Sequence, residues 1–484
     1  MKQTPAQKIT RRTFLRTAAL VAGATSLPAR SWAKVPGAND DVRMAVIGFH
    51  GRGKDHIREW SSMAGVRLTA LCDVDHAVLD AGVEDCRKKG ISVEAFTDVR
   101  KLLASDNIDA VSIATPNHWH ALAAVWAIQN GKDVYVEKPV SFDIWEGQQL
   151  VAAAHKYKKM VQAGTQSRSS TGIHEAVEWV RQGQLGRIRF AHALCYKRRG
   201  SIGKTNGPQP VPPTVDYDLW TGPAPLHPPR RQRFHYDWHW FWDYGAGDLG
   251  NQGVHEMDVA RWFLGESYGA PKAVTVGGRF GYSDDAETPN TVVAFHDYYA
   301  APLIMEVRGL PAKTDAKEMD KYHDVSIGVV VECEGGRILV KDYNSAIAVQ
   351  KDGKEIKRFE GSTNHFANFI QAVRSRQETD LHAPILEGHR STALCHVSNI
   401  SYRLGHSQPP QAIREKIKGD PGAEETFDRM SQHLAANGIN LEQTQAVIGP
   451  VLTMNPMTEE FVKNKAANQM LRRAPRTGFA IKLA

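Results

Sequence analysis

Long hydrophobic runs are missing from this 484-residue chain. No apolar stretch reaches the roughly 18–20 residues that a spanning helix needs, which excludes a membrane bundle. Cysteine is scarce: Cys72, Cys86, Cys195, Cys333 and Cys395 are odd in number, scattered, and free of any C-x-x-C pair. A disulfide scaffold is therefore excluded, and buried thiols are the expectation. Charge of one sign is also lacking once its position is considered. The net charge is +7, but Lys2, Lys8, Arg11, Arg12, Arg16 and Arg30 sit in an acid-free leader and leave the rest of the chain near neutral. No basic stripe remains for phosphates to follow, so nucleic acid is not an expected partner. No H-E-x-x-H motif occurs: His235 and His239 are four apart, but in a stretch rich in aromatics and poor in helical signals, and although His235, His239, His255 and Asp258 can be assembled on paper, no metal is expected. There is no internal repeat. What is present, 42% hydrophobic residues with 40 Gly and 24 Pro, is enough for two globular domains and too long for one core.

Thr10-Arg11-Arg12-Thr13-Phe14-Leu15-Arg16 precedes a mildly apolar stretch from Ala18 to Leu27, and Ser31-Trp32-Ala33 supplies small residues for cleavage. This is a secretory signal over residues 1–33, and the adjacent arginines resemble a twin-arginine signal. The expectation is a periplasmic or otherwise exported protein, with the twin-arginine translocase as its partner during export. No cysteine follows in a lipid-anchor context, so no membrane anchor is expected.

From Val42 onward short apolar strands alternate with helical periods, the pattern of a doubly wound parallel sheet. Strands are expected at Val42 to Ile47, Arg67 to Cys72, Ala110 to Ile113, Asp133 to Val136 and Met160 to Ala163. Helices are expected near Ala77 to Lys89, His118 to Asn130 and Ile144 to Tyr157. Around Ile188 the grammar changes to strands without long helices between them: Ile188 to Tyr196, Ala273 to Arg279, Thr291 to His296, Leu303 to Arg308, Val325 to Cys333 and Arg337 to Val340. The fold expected is an N-terminal Rossmann domain over residues 41–165. An α+β domain on a large, mostly antiparallel, open-faced sheet would follow over 166–405, and then a C-terminal extension over 406–484. An open sheet face commonly buries itself against a second copy, so a homodimer or homotetramer is expected.

Gly48-Phe49-His50-Gly51-Arg52-Gly53 follows a strand and precedes a helix, the context of a dinucleotide loop. It departs from G-x-G-x-x-G in placing His50 at the middle glycine, so either His50 points away or Gly51 gives the pyrophosphate its close approach. Asp73 ends the second strand 20 residues after Gly53, where a carboxylate accepts from the adenosine ribose and repels a 2′-phosphate. NAD is thus expected in preference to NADP.

Thr115-Pro116-Asn117-His118-Trp119-His120 and Glu137-Lys138-Pro139 together resemble the Gfo/Idh/MocA oxidoreductases, named for glucose–fructose oxidoreductase, inositol dehydrogenase and a rhizopine-catabolism protein. The resemblance covers residues 41 to 405 and is nearest to the exported, twin-arginine branch. It implies that Lys138 lies between nicotinamide and substrate, ahead of a cis proline bond, and takes a hydroxyl proton as hydride leaves the same carbon. It also places Thr115, Pro116, Asn117, His120, Glu137 and Gln166 at the cofactor. In Gly250-Asn251-Gln252-Gly253-Val254-His255-Glu256-Met257-Asp258 it matches His255 to a substrate-facing histidine, while Asn251 stands where related inositol dehydrogenases carry aspartate. Lys138 and His255 are therefore the catalytic candidates, with Asn251 and Asp258 beside the substrate.

Arg230 to Tyr244 is dense in rings with interleaved His and Asp. Trp238 and His239 are candidates to stack on a sugar, against the alternative of a satellite aromatic core. Arg168, Tyr196 and Lys197 follow strand ends and are further substrate candidates. The function expected is oxidation of a ring hydroxyl of a sugar, glycoside or cyclitol by a tightly held nicotinamide cofactor. Two alternatives compete with it: a glycosidase working by transient ring oxidation, elimination, hydration and re-reduction, and a non-catalytic cofactor-bound sugar sensor. The resemblance favours net oxidation over glycoside cleavage, because the E-K-P region is intact.

Overall fold

The computed structural model describes residues 41–483, so the secretory leader expected at residues 1–33 lies outside the described residues. Six strands form the first sheet: β1 (Val42–Ile47), β2 (Val66–Cys72), β3 (Glu94–Phe96), β4 (Ala110–Ile113), β5 (Asp133–Val136) and β6 (Val161–Ala163). All pair in parallel, in the order β3-β2-β1-β4-β5-β6. β4 and β5 are buried along their whole length because helices cover both faces, which is why they read as continuous apolar runs rather than alternations. The order reverses between β1 and β4, and the crevice beyond their C-terminal ends is where such sheets take ligands.

The second sheet is built on β7 (Ile188–Tyr196), β8 (Lys272–Gly278), β9 (Thr291–Asp297), β10 (Leu303–Arg308), β11 (Ile327–Cys333), β12 (Gly336–Val340), β13 (Ser345–Gln350) and β14 (Glu355–Glu360). Two short strands from the C-terminal extension, β15 (His406–Gln408) and β16 (Ala446–Ile448), lengthen its edge beside β8. Pairing is antiparallel apart from β7 with β10. Alternation along β10 sends Leu303, Met305 and Val307 to one face, under helices Thr171–Arg181, Val254–Leu264 and Ile385–Arg403. Ile304 points to the other face, with Val276, Val293 and Phe295. The chain's own helices Pro410–Ile417 and Pro421–Ala436 cover that face through Ile413, Ile417, Phe427, Met430 and Leu434. Burying each of these large side chains contributes about 1.5–3 kcal/mol. Arg429 on the second helix bonds buried Glu306 of β10 at 2.9 and 2.7 Å.

The last described residues return to the Rossmann domain. Arg473 donates to Glu146 at 2.7 Å and to the His118 carbonyl at 2.6 Å. Arg476 bonds Asp218 and the Gly222 carbonyl, each at 2.7 Å, and Phe479 packs edge-on to Trp119. The tail thus ties the Thr115–His120 turn to the long insertion between β7 and β8.

Candidate active site

A cavity of about 600 Å³ lies over the C-terminal ends of β1, β2, β4 and β5, closed above by the insertion. At its floor Gly48 has φ +77°, and a Cβ there would lie 2.8 Å from the Thr115 Cα. Gly53 is packed as tightly, since its Cβ would lie 2.2 Å from the Gly48 carbonyl oxygen. A Cβ on Gly51, by contrast, would meet nothing within 4 Å. That leaves a bare stretch of backbone facing the cavity ahead of helix Gly53–Ser62, whose N-terminus no side chain caps. The uncapped N–H groups and the room above Gly51 suit a pyrophosphate. Of the two solutions left open by the sequence, the open space above Gly51 fits the one in which Gly51 gives the close approach. His50 also lies at the cavity, its ring stacked on His235 at 4.2 Å.

Asp73 accepts from the Phe49 amide at 3.0 Å and from the Asp75 amide at 3.0 Å, which fixes its carboxylate at the cavity rim. Burial pushes this carboxyl up from its ordinary value, against the two N–H donors. Thr115, Pro116, Asn117, His120, Glu137, Lys138 and Gln166 all line the same space. The Thr115 Oγ1 and Asn117 Oδ1 atoms are buried without a hydrogen-bond partner. Such orphans are costly unless a ligand satisfies them, so the residues present fit a bound dinucleotide. His120 is fixed by contacts of 2.7 Å to the carbonyls of Pro139 and Thr115.

Glu137 makes no hydrogen bond to the Lys138 side chain. Its Oε1 meets Arg52 Nε and His56 Nε2, both at 3.0 Å, and Gln166 Nε2 at 3.3 Å. Burial works to raise its pKa, but His56, Arg52 and Lys138 outweigh that and hold the carboxyl well below its usual range. Lys138, before a cis proline, donates from Nζ to the main-chain oxygen of Asn251. Burial, reinforced by Arg52 and Lys197, lowers the Lys138 ammonium below its ordinary value despite the carboxylates of Glu137 and Glu256.

His255 opens the helix Val254–Leu264, is buried, and has no partner for Nδ1. Burial and the nearby Lys138 keep it neutral. Asn251 lines the cavity too, from a wider turn, Leu249–Gly253, that takes it off the helical period. Asp258 and Arg168, expected at the substrate, face each other instead. Arg168 grips Asp258 with two bonds of 2.8 Å, Ser391 adds one of 2.6 Å, and neither residue lines the cavity. Two buried opposite charges satisfy each other here and have nothing left for a ligand. Tyr196 is likewise corrected. It ends β7 on the opposite face from Cys195, and its hydroxyl bonds Glu306 at 2.8 Å under the C-terminal helices. The period of two turns Lys197 back toward the site; it does not itself line the cavity, but its Nζ donates to Gln252, which does, at 3.2 Å.

The aromatic insertion realises both readings of its sequence. Trp220, Phe234, Trp240, Phe241 and Tyr244 form a satellite core, while Tyr236, Trp238 and His239 face the cavity, Trp238 stacked on His239 at 3.6 Å. His235 is engaged by Asp75 at 2.8 Å, and no cluster of three or more metal-type ligands occurs among the described residues. Gln252 and Tyr343 also line the cavity and were not singled out by sequence. Gln252 stood inside a motif already examined. Tyr343 sits between β12 and β13, where no local pattern marks it.

Comparison with known proteins follows the same division. Residues 42–165 match the model described as the oxidoreductase family, NAD-binding Rossmann fold, and residues 194–434 match its C-terminal alpha/beta domain. A glycosyl hydrolase family 109 protein of Shewanella pealeana is 31% identical over 231 residues, which is 41% of this chain and 49% of that protein. The match thus spans about half the length of such relatives. The WlbA dehydrogenase from Bordetella pertussis, crystallised with NADH and UDP-GlcNAcA, shares the fold at TM-score 0.55 and 19% identity, over 75% of this chain and 97% of that one. An oxidoreductase domain protein from Kribbella flavida does so at TM-score 0.56 and 18% identity, over 74% and 96%.

Proposed function

This chain belongs to the Gfo/Idh/MocA oxidoreductase family, and on that premise we propose that it oxidises a ring hydroxyl of a sugar, glycoside or cyclitol. The observation carrying this is the pairing of Lys138 and His255 at one cavity, one an amine depressed by burial, the other a neutral ring with an unclaimed nitrogen. Bound NAD supplies the hydride acceptor. Asp73 takes the ribose hydroxyls, and the Gly48–Gly53 backbone seats the pyrophosphate. Lys138 accepts the hydroxyl proton at Nζ, with the Asn251 carbonyl fixing the direction of the amine. His255 Nδ1 holds a hydroxyl of the same ring.

The test is direct. Denaturing the purified protein should release NAD or NADH, and adding substrate to the holoenzyme should yield keto-sugar in step with NADH absorbance. A protein that releases no dinucleotide ends the proposal. A second reading, glycoside cleavage through transient oxidation, draws on the relatives named glycosyl hydrolase family 109. Aryl glycosides distinguish the two: aglycone release without net NADH selects cleavage.

We further propose export through the twin-arginine route, on the Arg11-Arg12 leader. Fractionation of cells expressing the Arg11→Lys, Arg12→Lys chain should find it retained. The open sheet face from which a dimer or tetramer is expected is covered over β8, β9 and β10 by the chain's own helices Pro410–Ile417 and Pro421–Ala436, so that ground for assembly falls away. No helix among the described residues is long and apolar enough to cross a membrane.

A further inference from the structure

At and beside the substrate end of the cavity stand hydrogen-bond donors whose count and charge say more about the ligand than a sugar ring does: Gln252 and Tyr343 line it, and Lys197 adjoins it through Gln252. Gln252 lies at their centre. Its Oε1 accepts from Lys197 at 3.2 Å. An ammonium only donates, so this contact fixes which way the amide is turned. The Nε2 hydrogens then go to Glu256 Oε1 at 2.9 Å and to the Tyr343 oxygen at 3.1 Å. The amide is used up.

What remains is one-sided. Tyr343 already accepts from Gln252, so its own hydroxyl hydrogen is free, and its ring stands 5.2 Å from that of His255. Lys197 is half-buried and retains two N–H groups. No carboxylate lies within ion-pair reach of Lys197 among the described residues. The nearest acid on its own network, Glu256, is buried and reaches Lys197 only through Gln252 by hydrogen bonds, and burial pushes its carboxyl up to about 8, toward the uncharged acid. Every other acid at this end is spoken for: Glu137 by Arg52 and His56, and Asp248 by Arg199 at 2.6 Å. Lys197 also lies close enough to Lys138 and His255 to disfavour a charge on either.

We infer that Lys197 and Tyr343, joined through Gln252, form a subsite for a carboxylate on the substrate, so that the sugar oxidised here is a uronic acid or its glycoside. A hydroxyl offers two lone pairs and no charge, whereas a carboxylate accepts from all three free donors and neutralises the half-buried ammonium. The inference rests on the oxidoreductase reading only for the word oxidised; the subsite itself is a matter of binding.

The test therefore measures binding apart from turnover. Holoenzyme loaded with NADH, which cannot oxidise an alcohol, is titrated by calorimetry with glucuronate, galacturonate, their methyl esters and the parent hexoses. At least one acid is expected to bind tenfold or more tightly than its own ester, with the preference shrinking at high salt. Lys197→Met should abolish the preference, and Tyr343→Phe should weaken it, both with unchanged NADH content as a check on folding. Esters or hexoses binding as well as the acids would overturn the inference, as would a preference that survives in Lys197→Met. Tight acid binding without turnover of any alcohol by the NAD-loaded enzyme would uphold the subsite and defeat the oxidoreductase reading instead.

Discussion

Lys138 Nζ donates to the main-chain oxygen of Asn251, a bond that joins the loop after β5 to the turn before His255. The two halves of the site, one from each domain, are held in register by this contact. Lys138→Ala should lower turnover by about 10²–10⁴-fold, the range for removing a general base. Dinucleotide content should be unchanged, because the pyrophosphate loop and Asp73 are untouched. Retained turnover would remove Lys138 from the chemistry.

The pH profile has a definite sign. The active amine is unprotonated, and burial lowers its ammonium from the ordinary 10.5. kcat/KM should therefore rise with pH and level off below 10.5. His255 is held neutral well below 6.5, so it should add no further limb above that pH. A profile still climbing at pH 10.5 would contradict this.

Asp73 decides between the two dinucleotides. Asp73→Ser removes the carboxylate that repels a 2′-phosphate while leaving a hydroxyl for the ribose. NADP affinity should rise and NAD affinity fall, so that the Kd ratio moves by on the order of tenfold or more. Fluorescence titration with both reduced cofactors reads the ratio.

Gly48 and Gly51 should respond oppositely to alanine. Gly48→Ala forces a left-handed residue against Thr115 and should cost about 1–3 kcal/mol of stability. Gly51→Ala meets nothing in the protein, so melting of the dinucleotide-free chain should barely change while NAD occupancy falls. Equal effects on both measurements would refute the assignment of the bare stretch to a ligand.

Arg429 is the latch of the C-terminal helices. Arg429→Met would leave buried Glu306 with Arg308, His192 and Tyr196 but without its two shortest charged bonds, a loss of about 1.5–3 kcal/mol. Denaturant unfolding should show that loss, and limited proteolysis should cut first within residues 410–440.

Five of the six strands of the parallel sheet were legible because each is a short apolar run closed by helical spacing; β1, β4 and β5 and the helix Ile144–Tyr157 lie where the pattern places them. β3, β13 and β14 were not seen; Glu94–Phe96 and Glu355–Glu360 are mostly exposed and carry no apolar alternation. The cavity floor was readable for a different reason: glycine positions and the E-K-P loop are local in sequence. Arg168, Tyr196 and Asp258 were misplaced because nearness to a strand end or helix face does not say which partner claims the side chain. Asp258 went to Arg168 and Tyr196 to Glu306, over 90 and 110 residues of separation. Tyr343 reaches the cavity by the same kind of long-range return.

The clasp made by Arg473, Arg476 and Phe479 gives synthesis an order. A ribosome delivers all six strands of the nucleotide-binding sheet, and the insertion above it, well before these three residues emerge. The nucleotide-binding sheet can therefore take shape before the last-made stretch pins the insertion to the Thr115–His120 turn.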